Sequence, residues 1–351
     1  MINRRASRVV RIGGVEVGGA GRVVIQSMTK TDTRDIAATV DQIHRLEGCG
    51  CEIVRVAVPD MEAASAISDL KQKSRIPLIA DIHFDYRLAL AAMESGVDGL
   101  RLNPGNISDR NQIAAVVRAA KERDVPIRVG VNAGSLPRLT AHGSRLTVVE
   151  RMVEAALGEV RQLESLDFGL IKVSVKAFDV PTTVEAYRAI AQKIPYPLHL
   201  GITEAGLPWS GAIRSAVGLG ILLYEGIGDT IRVSLTTADA CREVECAYEI
   251  LKSLKLREYG PVLVSCPSCG RAETDIVKLA GDVEERLKGM KKTVKVAVMG
   301  CVVNGPGEAK DADVGIACGR GRGVIFKKGQ KVRTVDEPDF LGALMAEVEA
   351  L

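Results

Sequence analysis

A TIM-type (β/α)8 barrel followed by a small α/β domain is the architecture the sequence predicts, on three observations. Apolar runs of strand length alternate eight times with amphipathic helical stretches between residues 23 and 254. The first run leads into Gln26-Ser27-Met28-Thr29, where an open doubly wound sheet would place a Gly-rich phosphate turn. Beyond Pro261 the rhythm changes and strands outnumber helices. The expected domains are residues 1–258, a barrel, and 259–351, the smaller unit.

Taken in order, the chain opens on a short hairpin, 9–12 and 15–17, turning at Gly13-Gly14. Barrel strands are expected at 23–28, 52–58, 77–83, 99–103, 126–132, 169–177, 197–203 and 230–236. The helices after them are expected at 36–47, 61–73, 86–94, 110–123, 145–164, 183–193, 210–225 and 238–254. Their apolar residues recur three and four apart, as in Ile43 and Leu46 or Leu88 and Ala91, and Gly48, Gly96 and Gly226 close three of them. The second domain reads as strands at 262–265, 294–299, 314–317, 323–327 and 331–335, with helices at 274–288 and 338–351.

Composition removes several classes of function. Aromatic residues are only 3%, too few for base-stacking platforms, and a net charge of +3 argues for neither nucleic acid nor membrane binding. No apolar run approaches the length of a membrane span, and residues 1–5 lack the apolar core of a secretory signal. Eight cysteines in scattered pairs and singles do not form a disulfide framework, so the expected location is cytoplasmic. Cys49, Cys51, Cys241 and Cys246 are expected as buried free thiols at helix ends or within helices. Gly319-Arg320-Gly321-Arg322-Gly323 reads as an exposed turn between two strands.

Two constellations carry chemistry. Barrel interiors are packed, so charge within a strand needs a reason. Arg55, Arg101, Arg128, Lys176 and Arg232 stand on five different strands and converge on one axis if they point inward. They could instead pair with carboxylates such as Asp81 and Glu204, but those are too few to neutralise all five. A multiply charged anion fits the remainder, and the Arg fork suits phosphate. Asp81, His83, Asn103, Asn132, His199, Thr203, Glu204 and Ser234 collect at strand C-terminal ends, where barrel active sites lie.

The second constellation is Ser265-Cys266-Pro267-Ser268-Cys269-Gly270-Arg271, with Cys301 in Met299-Gly300-Cys301-Val302-Val303-Asn304-Gly305-Pro306-Gly307-Glu308. Thiolates at this spacing suit an iron–sulfur cluster, a zinc ion or a redox dithiol, and adding Cys318 would complete a zinc pattern. Three cysteines followed by a carboxylate suggest a cluster with one weakly held iron. An anion-binding barrel joined to such a site implies reductive chemistry on a phosphorylated molecule.

These motifs, together with residues 24–29, Asp81-Ile82-His83-Phe84, residues 101–106, 199–206 and 225–235, resemble the bacterial 4-hydroxy-3-methylbut-2-en-1-yl diphosphate synthases of the non-mevalonate isoprenoid pathway. The resemblance covers nearly the whole chain. It implies a [4Fe–4S] cluster held by Cys266, Cys269, Cys301 and Glu308, with Glu308 and Glu204 catalytic. It implies substrate binding by Arg55, Asp81, His83, Arg101, Asn103, Arg128, Asn132, Lys176, His199, Arg232, Ser234 and Asn304. The implied substrate is 2-C-methyl-D-erythritol 2,4-cyclodiphosphate, and the implied electron donor is ferredoxin or flavodoxin. The implied assembly is a homodimer in which one subunit's cluster domain closes over its partner's barrel. Phe178 and Leu207-Pro208-Trp209 depart from the family pattern near the pocket, and Cys318 lies outside its ligand motif. Two other classes remain: a non-catalytic zinc domain on a phosphosugar-binding barrel, which predicts a colourless protein containing zinc, and a barrel transferase related to pteroate synthases, which would explain the anion site but not the cysteines.

Overall fold

The computed structural model describes residues 2–83, 85–102, 109–136, 146–301, 307 and 309–351. Two compact units divide the chain, Met1–Arg257 and Glu258–Leu351.

The first unit begins with a hairpin, β1 (Val10–Ile12) and β2 (Val15–Val17), followed by β3 (Val24–Met28), α1 (Ile36–Gly48), β4 (Ile53–Ala57) and α2 (Met61–Lys73). Next come β5 (Leu78–Ile82), α3 (Tyr86–Glu94), β6 (Gly99–Leu102), α4 (Arg110–Glu122), β7 (Ile127–Asn132) and α5 (Val148–Ser165). The series ends with β8 (Ile171–Lys176), α6 (Val180–Ala191), β9 (His199–Leu200), α7 (Pro208–Tyr224), β10 (Thr230–Ile231) and α8 (Cys241–Ser253). The parallel strands run in the order β8-β7-β6-β5-β4-β3-β10-β9, and a parallel bridge between Val173 and Leu198 closes the ring. The predicted barrel is therefore the observed one.

Local chemistry explains where six of the barrel helices, α1 to α6, start. Asp35, Asp60, Asp85, Asp109 and Asp179 each accept a hydrogen bond from a backbone N–H in the first turn of the helix they precede. Thr147 and Glu150 form a reciprocal capping box at α5. Each such cap is worth about 1 kcal/mol. The hairpin serves the barrel in another way. Its Ile12 and Val17 pack with Val24, Ile53 and Ile79 at the N-terminal ends of the strands, giving the barrel a dry floor.

Two expectations need correction. The strands expected at 197–203 and 230–236 pair over only two residues each, His199–Leu200 and Thr230–Ile231, although the Arg232 N–H still donates to the Leu200 carbonyl at 3.0 Å. The free-thiol expectation fails for Cys49 and Cys241, which form a disulfide with a Cα–Cα distance of 5.9 Å. Ring closure sets the last helix against the first, placing the end of α1 beside the start of α8. Cys51 is a buried thiol pushed up by burial to about 12, and Cys246 is half-buried.

The second unit is a five-stranded sheet in the order β11 (Pro261–Ser265), β12 (Val294–Met299), β13 (Val314–Cys318), β14 (Arg322–Lys327) and β15 (Gln330–Asp336). The first three strands are parallel and the last two antiparallel. Helices α9 (Ile276–Leu287) and α10 (Phe340–Glu349) contribute Ile276, Val283, Phe340 and Leu344 to a core on the sheet. Ala297, Met299, Ala309, Ala317 and Phe326 form a smaller cluster. Among the described residues, no helix is long and apolar enough to cross a membrane.

Candidate functional site

Strand register puts the barrel's charged residues side by side. Asp81 on β5 pairs with Arg101 on β6, Arg101 with Arg128 on β7, and Arg128 with Lys172 on β8. Further along the same pair of strands, Asn132 pairs with Lys176. Because side chains alternate across a strand, Lys172, Ser174 and Lys176 share one face of β8. All these charged groups are buried: Asp81, Arg101, Arg128, Lys172 and Lys176 are each at most 8% exposed.

Asp81 is the hub of one side. It lies 3.5 Å from Arg55, 3.1 Å from Arg101 and 3.4 Å from His83, whose ring also meets Arg101 at 3.1 Å. Burial opposes its ionisation, but Arg55, the His83 hydrogen bond and Arg101 together hold its carboxyl far below the usual carboxylate range. Arg55 is itself lowered to about 10 by burial, against the pull of Asp81.

The other side is less balanced. Arg128 donates to Ser174 Oγ at 2.5 Å, and Arg232 donates to Ser234 Oγ. Among the described residues, Arg128, Lys172 and Lys176 have no ion-pair partner. The Nε groups of Arg101, Arg128 and Arg232 also lack a hydrogen-bond partner there, as do both ring nitrogens of His199. Burial, reinforced by neighbouring cations, pushes Arg128, Lys172, Lys176 and His199 well below their ordinary values. Two glycines make room for this crowding. A Cβ on Gly201 would lie 2.5 Å from Lys176 Nζ, and one on Gly130 would lie 3.2 Å from both Arg101 Nε and Arg128 Nη1.

Some expected site residues stand apart. Glu204 is exposed, on a turn where its φ is +55°, and does not supply the interior countercharge considered for it. That role falls to Glu243, in the first turn of α8 and 2% exposed. It lies 3.6 Å from Arg232 and 3.2 Å from Lys30, and accepts from Ser27 Oγ and the Leu235 N–H. With Asp81 it gives Arg55, Arg101 and Arg232 carboxylate neighbours, so these three cations are partly balanced and Arg128 and Lys176 are not. Sequence reading missed Glu243 because nothing in an amphipathic helix marks one carboxylate as inward. It missed Lys172 despite an available signal, the same alternation that places Lys176. Asn103, Asn304 and Glu308 lie outside the described residues.

In the second unit, Cys266 follows β11 and Cys301 follows β12, and these two strands are paired in parallel. The Gly300 N–H donates to Cys266 Sγ at 3.2 Å, the contact a thiolate invites. Cys269 is exposed, and its thiol is lowered by hydrogen bonds from the backbone and then the side chain of Arg271. Cys318 is different: it is wholly buried in the core and burial pushes it up to about 12. Among the described residues, no three His, Cys, Asp or Glu side chains are gathered closely enough to hold an ion. By their chemistry the thiols of Cys266, Cys269 and Cys301 are the soft donors an iron–sulfur group takes, and one of them already accepts a backbone N–H.

Fold and side chains together define a barrel whose buried interior carries more cations than carboxylates, in one chain with an α/β unit that carries cysteine thiols at its strand ends. Comparison with known proteins gives the family. The GcpE TIM-barrel domain matches residues 7–248, and the GcpE protein C-terminal domain matches 262–350. A 4-hydroxy-3-methylbut-2-en-1-yl diphosphate synthase (flavodoxin) of Dehalococcoides mccartyi is 61% identical over 351 residues, 100% of both chains. Synthases of the same name from Geobacter sulfurreducens (98% of each chain) and Clostridium perfringens (100% of each) are 59% and 53% identical. The chain belongs to the GcpE family, the 4-hydroxy-3-methylbut-2-en-1-yl diphosphate synthases of the non-mevalonate isoprenoid pathway, which are oxidoreductases. Among solved structures, dihydropteroate synthase from Stenotrophomonas maltophilia is similar with a TM-score of 0.54 at 14% identity, over 71% of this chain and 98% of that one. The Yersinia pestis dihydropteroate synthase gives 0.52 at 10%, over 71% and 100%. At such identities the likeness concerns the barrel fold alone.

Proposed function

We propose that this chain reduces 2-C-methyl-D-erythritol 2,4-cyclodiphosphate to 4-hydroxy-3-methylbut-2-en-1-yl diphosphate, with a [4Fe–4S] cluster held by Cys266, Cys269, Cys301 and Glu308. Two electrons and two protons enter, the ring C–O bond to phosphate opens, and one hydroxyl leaves as water. Flavodoxin, which the relatives' names specify, or ferredoxin supplies the electrons. When bound, the cluster supplies one-electron transfer and a Lewis-acidic iron for a substrate oxygen.

The observation that carries this reading is the interior row of cations with unpartnered donors. Arg55, Arg101, Arg128, Lys176 and Arg232 clamp the two phosphates, with Ser234 placed by Arg232. Asp81 and His83 hold Arg101 in position, while Asn103, Asn132, His199 and Asn304 complete the pocket. His199, kept neutral by burial beside Lys176, can donate or accept without adding charge. Glu204 and Glu308 manage the protons of the departing hydroxyl.

The working form is a homodimer in which the cluster unit of one copy closes over the barrel of its partner. Exposed apolar residues on α7, Trp209, Ile213, Val217 and Tyr224, offer surface for self-association to cover. The test is anaerobic purification with metal analysis, a visible spectrum and turnover of the cyclodiphosphate with reduced flavodoxin. About four irons per chain and turnover are expected; zinc in place of iron, in a colourless protein, contradicts the reading.

A further inference from the structure

Lys172 has no part in the function just described, yet it closes the charged row of the barrel. Register sets Asp81, Arg101, Arg128 and Lys172 on four consecutive strands, β5 to β8, about 4.8 Å apart. One carboxylate stands at one end of this row and Lys172 at the other, 2% exposed. Among the described residues its amine reaches only the Gln26 amide oxygen, at 3.5 Å. The groups that face it are Gln26 from β3, Arg55 from β4, Arg128 from β7, His199 from β9 and Asp229 from the turn before β10. On its own strand stand Ser174 and Lys176. Asp229 is the one carboxylate among them, and it is committed elsewhere: Arg4 lies 3.3 Å away, Ser7 Oγ 3.0 Å, and the Leu198 N–H 2.8 Å.

We propose that Lys172 gains a proton when a diphosphate binds in the barrel, and so becomes an inner cation of the anion site. The proposal rests on the reading of the barrel as a diphosphate site. Like charges side by side in a buried row oppose one another, so in the free protein the amine at the unpaired end gives up its proton. Burial first, then Arg128 and Arg55, act in that direction. An arriving anion reverses the sign of the local field, and in a low-dielectric interior this acts across several ångströms without direct contact. The step is an acid–base transfer: a buffer acid loses a proton, the Nζ lone pair takes it, and no electrons are exchanged.

The test is titration calorimetry on the iron-loaded protein at neutral pH, in two buffers of different protonation enthalpy, using the cyclodiphosphate and, separately, inorganic pyrophosphate. The wild type is expected to take up about one proton more per bound anion than Lys172→Met, which binds roughly tenfold more weakly. Without ligand, Lys172→Met should melt no lower than wild type, since it removes an amine that is costly to bury. Lys172→Gln repeats the measurement in a polar side chain. Equal proton uptake in wild type and both variants, or a lower melting point with unchanged uptake, overturns the proposal and leaves Lys172 a structural partner of Gln26. If pyrophosphate binds with Lys172-dependent uptake but the cyclodiphosphate does not bind, Lys172 keeps its role and the substrate reading fails. If neither anion binds, both fail.

Discussion

In the barrel, Arg101, Arg128 and Lys176 stand on three neighbouring strands, buried, with glycines cut back to admit them. In the second unit, Cys269 stands in irregular chain beyond β11, exposed, while Cys266 and Cys301 sit just past the ends of paired strands. The ladder fixes the cations to within a side-chain rotamer before any ligand arrives. The thiols have their strand ends fixed and the turns between them shaped by backbone amides. Charge must be held against its own repulsion, which takes a rigid frame. Thiolates gain their order largely from what they bind.

The sharpest break between the two regions is a set of serine replacements. Cys266→Ser, Cys269→Ser and Cys301→Ser are each expected to lose the cluster, whereas Cys318→Ser keeps it, since that thiol is buried and held protonated. Pyrophosphate binding by the barrel should survive in all four. Iron content and calorimetry read the two regions separately; full iron in Cys301→Ser would undo the ligand assignment.

Within the barrel, Asp81→Asn should cost about 3–5 kcal/mol of stability, because it leaves Arg55 and Arg101 buried without their counter-ion. The pH dependence has a definite sign. The folded carboxyl is held below its unfolded value, so its contribution is full above about pH 4 and is lost as acid titrates it below that. Denaturant melts at several pH values should show a steeper acid loss for wild type than for Asp81→Asn. Parallel curves would show that Asp81 is not ionised in the fold.

Reduction of the Cys49–Cys241 bond touches only the seam between α1 and α8 and should lower barrel stability by roughly 2–4 kcal/mol. Thermal melts with and without dithiothreitol, beside Cys241→Ser, measure this. Identical melts, with two free thiols by mass in unreduced protein, would remove the bond from the account.

Much of this was legible in the sequence because it is periodic. Arg128 and Lys176 are readable as inward-facing from alternation alone, since each occupies the same phase of its strand as the residues that line the barrel. The short extents of β9 and β10 were not, because Gly201 lies against Lys176 Nζ and the Arg232 carbonyl, neighbours at two other strands that the local sequence does not reveal. Glu243 and the Cys49–Cys241 bond were invisible for another reason. Both arise only when ring closure brings α8 back against residues from the start of the barrel, Ser27 and Lys30 in one case and α1 in the other. Periodicity reports which face of an element is buried; it does not report which distant element it meets.

The central claim is that the barrel cations recognise a diphosphate by the geometry of their donors as well as by charge, and Arg128→Lys tests it most directly. The change keeps a cation and removes the planar fork beside Ser174. Calorimetric titration with the cyclodiphosphate should show a loss of about 1.5–3 kcal/mol, roughly a 10–150-fold rise in Kd, with the visible spectrum and melting temperature unchanged. Unchanged affinity with a lowered melting temperature would mean that Arg128 only holds the barrel together.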